Sequence, residues 1–352
     1  MIRVHMISET EWVTKGQGVH TAYKELVQLL ADDPCLELVI NNEGCGDVLH
    51  SHTYGPYYFY KGLRYKGRRI LTAHVIPESS KGSLPCWKLL YPLTKRYLRM
   101  AYNYADVVIA ISPEVERSLH RLGVRSKVVP IVNPVLKPNW QRTPERRAAG
   151  RQRLGLAEND QVILGVGQLQ ARKGVEDFIA IAAAMPGKKF VWVGGRPWGR
   201  FTEGVSRIDE RMADAPSNLH FTGLMELEDM PEVYAAADLF LFPSYQENCP
   251  LAPLEAAAAG LPVIFRDLEE YRLLFSRPYL AAADNHEFAM MATALLVNKP
   301  SYDSAVHMSA QLLLDFDRGR VKEKLMAVYR ELAPVKPFAD RVKPANSVNF
   351  KH

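Results

Sequence analysis

Cysteine is scarce and unpatterned. The 352 residues carry Cys35, Cys45, Cys86 and Cys249, with no C-x-x-C pair and no metal-ligand spacing. That excludes a disulfide scaffold and a structural zinc module, and points to free thiols in a reducing compartment. Long apolar runs are missing too: none approaches the ~20 residues that cross a bilayer. The N-terminal MIRVHMISETEW turns polar too early for a secretory signal. A cytoplasmic protein is expected, with any membrane contact peripheral, at the inner leaflet surface. Charge of one sign is also modest, +5 from 44 basic and 39 acidic residues. The basic residues cluster around no nucleic-acid motif, so nucleic acid is not an expected partner. No repeat of roughly 20–50 residues is visible. His50 and His52 share one face of a strand without a third patterned ligand. The D-x-D of Asp315 and Asp317 falls in a helical region and reads as a break between helices. No metal site is expected.

What is present is an alternation of short apolar runs with longer amphipathic ones, the pattern of α/β units around parallel sheets. Strands are predicted at 2–7, 36–40, 47–52, 68–74, 106–112 and 127–132. A second set is predicted at 161–167, 189–195, 219–223, 238–243 and 261–265. Between the sets, VNPVLKPNWQRTPERRAAGRQRLGL carries three prolines and a basic helical run, which marks a boundary near 135–148. The expected division is a domain at 1–137, a second at 138–316, a helix at 317–335 packing back on the first, and a loose tail at 336–352. Two doubly wound domains in tandem place a ligand cleft between them, at the carboxyl ends of the strands.

The segment SYQENCPLAPLEAAAAG (244–260) is the strongest chemical signal. Glu247 follows the buried strand pattern DLFLFP. Pro250 and Pro253 suit a loop or a first helical turn, and Glu255 falls early in the helix that follows. A helix N-terminus there suits a phosphate, while both glutamates offer acceptors to hydroxyl groups. At this level two readings stand evenly: a site for a diphosphate ligand with hydroxyls, or a dipole-satisfying acid beside a solvated one. Gly16 and Gly18 in KGQGVH lie between the first strand and helix, where backbone approaches a phosphate or simply turns. His74 ends the strand RRILTAH, at the cleft edge.

The string DLFLFPSYQENCPLAPLEAAAAGLPVI, with seven residues between Glu247 and Glu255, resembles the E-x7-E motif of the family 4 retaining glycosyltransferases. VGQLQARKGVEDFI, FVWVGG, NLHFTG, KGQGVH and VLHSHTYGP fall in the family's order, so the resemblance spans roughly residues 1–330. It implies an α/β GT-B fold, two Rossmann-like parallel-sheet domains facing a central cleft, with the acceptor on the N-terminal domain and the nucleotide sugar on the C-terminal one. It further implies that Glu255 binds the ribose hydroxyls and Glu247 the donor sugar's hydroxyls. Asn248, Cys249 and Leu251 would offer backbone amides to sugar and diphosphate, with Pro250, which has no N–H, lining the same contact. Lys173 and Arg172 would neutralise the departing diphosphate in place of a metal, so no cofactor is implied beyond the nucleotide sugar as co-substrate. His74 matches a histidine that contacts the donor sugar. At Gln168 the family usually has arginine, so a neutral donor stands where a cation is expected; Arg172 or Arg196 is the candidate substitute. Similar Q-x-x-x-R-K-G loops occur in a bacterial branch that includes glycolipid glycosyltransferases.

The segment SLPCWKLLYPLTKRYLRMAYNYAD mixes Trp87 and leucines with Lys88, Lys95, Arg96 and Arg99. That is the composition of a membrane-surface helix, or of a core helix with a solvated basic face. Tyr54, Tyr57, Tyr58, Phe59 and Tyr60 form an aromatic cluster expected at the acceptor-side rim. The resulting expectation is a hexosyltransferase using UDP-glucose or UDP-galactose on a membrane glycolipid, with peripheral contact to anionic lipids. Two alternatives are kept: a soluble sugar, sugar-phosphate or polysaccharide-intermediate acceptor, and a non-catalytic nucleotide-binding GT-B protein, for which Gln168 is the hint.

Overall fold

A computed structural model describes residues 1–12, 18–41, 44, 46–80, 87–196 and 205–333. The first half runs β1 (Ile2–Ile7), α1 (Gly18–Ala31), β2 (Leu36–Ile40), β3 (Val48–Ser51), α2 (Pro56–Arg64), β4 (Arg68–Ala73), α3 (Trp87–Asn103), β5 (Val107–Ala110), α4 (Pro113–Leu122) and β6 (Lys127–Pro130). Two short connecting helices follow, α5 (Lys137–Trp140) and α6 (Pro144–Arg153). The second half runs β7 (Val162–Val166), α7 (Val175–Ala184), β8 (Lys189–Val193), α8 (Val205–Ala213), β9 (Leu219–Gly223), α9 (Met230–Ala236), β10 (Leu239–Phe242), α10 (Leu251–Ala258), β11 (Val263–Arg266), α11 (Glu269–Leu274) and β12 (Leu280–Ala282). Helices α12 (Asn285–Val297), α13 (Lys299–Leu312) and α14 (Arg318–Leu332) complete it.

The strands form two parallel six-stranded sheets, ordered β2-β1-β3-β4-β5-β6 and β12-β11-β10-β7-β8-β9. The central strands β3, β5 and β10 are buried along their whole length, as expected of strands covered on both faces. The edge strand β12 escaped sequence reading, because LAA offers three small residues and no periodicity. In the second sheet strand order reverses between β7 and β10, and an open α/β sheet binds ligands at that point.

Each sheet carries apolar packing on both faces. Val4, Met6, Val48 and Ile70 of the first sheet share a core with Val321, Leu325 and Tyr329 of α14, so the chain returns to its first half at the end. Trp140 of α5 packs instead into the second core with Tyr234 and Phe240. Asp317 caps α14, accepting from Arg320 N at 3.0 Å, and Asp315 accepts from Ser276, so both acids of the D-x-D have structural partners.

The aromatic cluster after β3 is more buried than the expected rim. Four of its five rings lie on α2 and Tyr54 just before it; Tyr58 is wholly enclosed, Tyr54 and Phe59 are half-buried against Tyr97, Tyr57 is half-buried with its ring edge-on to Trp12, and Tyr60 is exposed.

Candidate active site

The loops after β7 and β10 flank the switch point, and a cavity of about 640 Å³ opens there against the ends of β3 and β4. Gln168, Arg172 and Lys173 enter it from the loop after β7. Glu247, Asn248, Cys249, Pro250, Leu251 and Glu255 enter from the loop after β10 and from α10. His74, Tyr54 and Gly18 face them from the first half. A side chain on Gly18 would already touch Leu251, so the two helix N-termini nearly meet. Gly16 lies outside the described residues.

Lys173 is aimed by Gly174, which sits at φ 72°; a Cβ there would lie 2.2 Å from the carbonyl oxygen of Pro243. Only glycine lets the two loops approach this closely. Across the gap, Lys173 Nζ donates to Glu247 Oε1 at 2.5 Å, and Ser244 Oγ donates to the same oxygen at 2.6 Å. Arg172 stands 4.0 Å from that oxygen and donates to Gln170 and to the carbonyl of Gln246. Glu247 is buried. Burial alone raises its pKa, but Lys173 and Arg172 outweigh it and hold the carboxyl below its ordinary range. The same burial leaves Lys173 lowered, partly offset by Glu247. One carboxylate with two cations leaves an excess of positive charge, which suits an anionic group.

Glu255 is governed differently. Burial pushes its pKa up to about 8, against the lowering effect of Tyr234, whose hydroxyl donates to Oε2 at 2.6 Å; Glu25 raises it further. Glu25, on α1, accepts from Leu136 N at 2.9 Å and Trp140 Nε1 at 2.5 Å, and burial raises its own pKa to about 7. The Trp140 ring meets the Tyr234 ring edge-on, with centroids 5.6 Å apart. The connector and Glu255 are thus in one packed group.

Asn248 reaches across the cleft, donating from Nδ2 to the His74 carbonyl and to Ser79 Oγ, both at 2.8 Å. Cys249 is half-buried and hydrogen-bonds with Asn133, its thiol pushed up to about 12 by desolvation. Arg196 borders the cavity and pairs with Asp209. Ser79, Tyr234 and Ser244 were not foreseen. They stand 169 and 21 residues from Asn248 and Glu255, and three from Glu247; only the last lies within a local motif. Among the described residues no three His, Cys, Asp or Glu side chains are grouped to hold a metal ion.

Helix α3 contributes Thr94 to the cavity and buries Leu98, Ala101 and Tyr102. Its other faces expose Leu89 (81%), Leu93 (66%) and Met100 (53%) beside Lys88, Lys95, Arg96 and Arg99, with Trp87 half-buried. Leu89, Leu93 and Met100, four and seven residues apart, fall on one side of the helix and form an apolar strip bordered by basic residues. Among the described residues no helix is long and apolar enough to cross a membrane.

Residues 8–135 match the model of Glycosyltransferase Family 4, and residues 160–298 that of Glycosyl transferases group 1. The alpha-galactosylglucosyldiacylglycerol synthase of Streptococcus pneumoniae is 38% identical over 292 residues, 81% of this chain and 78% of that protein. The processive diacylglycerol alpha-glucosyltransferase of Acholeplasma laidlawii is 27% identical, over 78% and 82% of the two chains. Among solved structures, the Anabaena HepE protein in complex with UDP and glucose superposes with a TM-score of 0.72 at 16% identity, covering 94% of this chain and 100% of that one. Sucrose-phosphate synthase from Thermosynechococcus elongatus reaches 0.75 at 17%, covering 94% and 99%. These two carry the fold, GT-B.

Proposed function

This chain belongs to the family 4 glycosyltransferases, in their bacterial glycolipid branch, and we propose that it moves a hexose from UDP-glucose or UDP-galactose to a diacylglycerol-linked acceptor with retention of configuration. The observation that carries the reading is the single cavity that gathers Glu255, the Glu247–Lys173 pair, Arg172 and His74 at the switch point. The acceptor class follows from the two lipid-glycosylating relatives, and from an apolar–basic helix bordering that cavity.

Glu255 accepts the ribose hydroxyls. The backbone N–H groups of Asn248, Cys249 and Leu251, where α10 begins, and Gly18 at the start of α1 approach sugar and diphosphate, as would Gly16, while Pro250, which has no N–H, only shapes the loop. Lys173 is already engaged by Glu247 before the donor arrives. A diphosphate with its two charges competes for Nζ, and as it draws the ammonium away the carboxylate is released to accept the sugar's hydroxyls. One exchange of partners therefore seats both halves of the donor. When the C1–O bond breaks, its electron pair moves onto the diphosphate, where Lys173 and Arg172 meet the growing charge with Gln168 as a neutral hydrogen-bond donor. The acceptor hydroxyl oxygen bonds to C1 on the face from which the diphosphate leaves, and its proton passes to the departing diphosphate oxygen, so the configuration is kept. In this account the two cations, rather than a metal ion, stabilise the leaving group.

Helix α3 would lie on anionic lipid at the cytoplasmic face, with Leu89, Leu93 and Met100 entering the headgroup boundary and Lys88, Lys95, Arg96 and Arg99 meeting phosphates. The deciding experiment incubates the protein with radiolabelled UDP-sugars, singly, plus glucosyl-diacylglycerol in mixed micelles or a soluble sugar-phosphate. Label in the lipid phase is expected. Label transferred only to the soluble acceptor would overturn the lipid reading, and no transfer with any donor would overturn the enzyme reading of this site.

A further inference from the structure

Three histidines follow one another, ring beside ring, where β3 and β4 end. The centroids of His50 and His52 are 4.8 Å apart and those of His52 and His74 5.3 Å, each pair tilted by 30°. All three are buried. Burial pushes His50 and His74 down to about 3 and His52 well below its ordinary value, so the stack is neutral near pH 7. A neutral imidazole has one proton for two nitrogens, and the partners decide which holds it.

His50 is satisfied at both ends, by the Tyr329 hydroxyl at Nδ1 and the Thr72 hydroxyl at Nε2, each at 2.8 Å. His52 is not. Its Nδ1 lies 3.1 Å from His74 Nε2, while its own Nε2 is buried with no hydrogen-bond partner among the described residues. Of the two tautomers, one leaves a buried N–H without an acceptor and the other leaves only an unused lone pair. Orphaned N–H groups are the rarer and costlier case. The proton of His52 therefore sits on Nδ1 and is donated to His74 Nε2. His74 lines the cavity, and with Nε2 occupied as an acceptor its own proton must sit on Nδ1.

We propose that His52 is a positioning residue: its donation to His74 Nε2 fixes the tautomer in which His74 offers an Nδ1–H donor to an oxygen of the bound donor sugar. The role rests on the reading of His74 as a donor-sugar contact. His52 is itself held in plane by His50, and His50 by Tyr329 of α14, so the last helix braces the orientation of a cleft side chain. Neither β3 histidine touches substrate in this arrangement; they act through His74.

The test labels histidine with nitrogen-15 and reads the tautomer of His74 from its nitrogen shifts, assigned by the signals lost in His74→Asn. The wild-type protein should show His74 protonated on Nδ1. His52→Phe keeps a ring but no nitrogen; it should shift His74 toward the Nε2–H form and lower kcat/KM for the nucleotide sugar on the order of tenfold, with UDP affinity changed less than about twofold. His52→Asn puts an amide near the position of Nδ1 and should restore most of both. A wild-type His74 protonated on Nε2 overturns the proposal, even if His52→Phe fails to fold. So does a folded His52→Phe with the wild-type tautomer, or a His52→Asn as impaired as His52→Phe. Unchanged turnover in His74→Ala would instead remove the donor-sugar reading, while the wild-type spectrum still reports the hydrogen bond.

Discussion

Raising the pH should tighten the binding of UDP-hexose, because the acid assigned to the ribose is mostly protonated near neutrality. Burial holds Glu255 at about 8, and only the Tyr234 hydroxyl offsets it. A carboxylate accepts from two hydroxyls at once, while the acid form gives up part of that capacity to its own proton. With a pKa of about 8, roughly a tenth of the molecules carry the carboxylate at pH 7, and the apparent affinity is reduced by that fraction, about 1.4 kcal/mol. Affinity should thus rise close to tenfold for each unit between about pH 6 and 7, and level off above about 8. UDP-hexose is the right probe, because its diphosphate diester does not titrate in this range. Calorimetry in buffers of different ionisation enthalpy should count nearly one proton released per ligand bound at neutral pH, about 0.9. Two variants should move the profile in opposite directions. Tyr234→Phe removes a group that lowers the pKa and shifts the rise to higher pH. Glu25→Gln removes one that raises it and shifts the rise to lower pH. A dissociation constant that stays flat from about pH 6 to 9, or weakens as pH rises, would refute the assignment of Glu255 as the ionising ribose acceptor.

The pair beside it gives a second test. Lys173→Met leaves the buried Glu247 charge without its main partner and should cost roughly 3–5 kcal/mol in denaturant unfolding, most of it recovered in Lys173→Met/Glu247→Gln. Glu247→Ala should lower turnover roughly 10²–10³-fold while UDP binding, read by calorimetry, is preserved. Turnover should persist in excess EDTA, and a strict magnesium requirement would count against Lys173 and Arg172 as the groups that receive the leaving charge. Leu89→Asp with Leu93→Asp should abolish flotation with liposomes containing anionic lipid and leave the melting temperature unchanged; flotation as strong as wild type would exclude α3. Glu25 is raised from 4.5 to about 7, so its contribution to stability is complete below the unfolded value and is lost as pH rises through about 7. The loss is about 3 kcal/mol, and because Glu255 adds a fall of its own up to about pH 8, Glu25→Gln should reduce but not abolish the drop in melting temperature between about pH 5 and 7.

Strand positions were largely legible because buried parallel strands are short, continuous and apolar. LHFTG and LELVI are bounded residue for residue as read, whereas LAA at β12 carries too little pattern to be seen. Glu247, Glu255 and Lys173 were legible because local spacing ties each to a strand end or helix start. What local spacing cannot convey is which side chains meet across the fold. Lys173 and Glu247 are 74 residues apart, Asn248 and His74 174, and His50 and Tyr329 279. His50 and His52 could be placed on one strand face, but the sequence held no sign that His74 of the next strand completes the stack. The apolar residues of α3 were equally ambiguous, since the same letters serve a core or a membrane until exposure separates Leu89 from Leu98.

The return of α14 to the first sheet has a consequence for recombination. Val321, Leu325 and Tyr329 complete the core built on Val4, Met6 and Ile70, and Tyr329 holds His50. The unit that would receive the acceptor is therefore discontinuous along the gene, begun at one end and finished at the other. Exchanging donor specificity between relatives by joining one protein's front to another's back would pair a sheet with a foreign last helix. A viable chimera has to be an insertion, with the nucleotide-sugar unit spliced between two crossings and both flanks taken from the same parent.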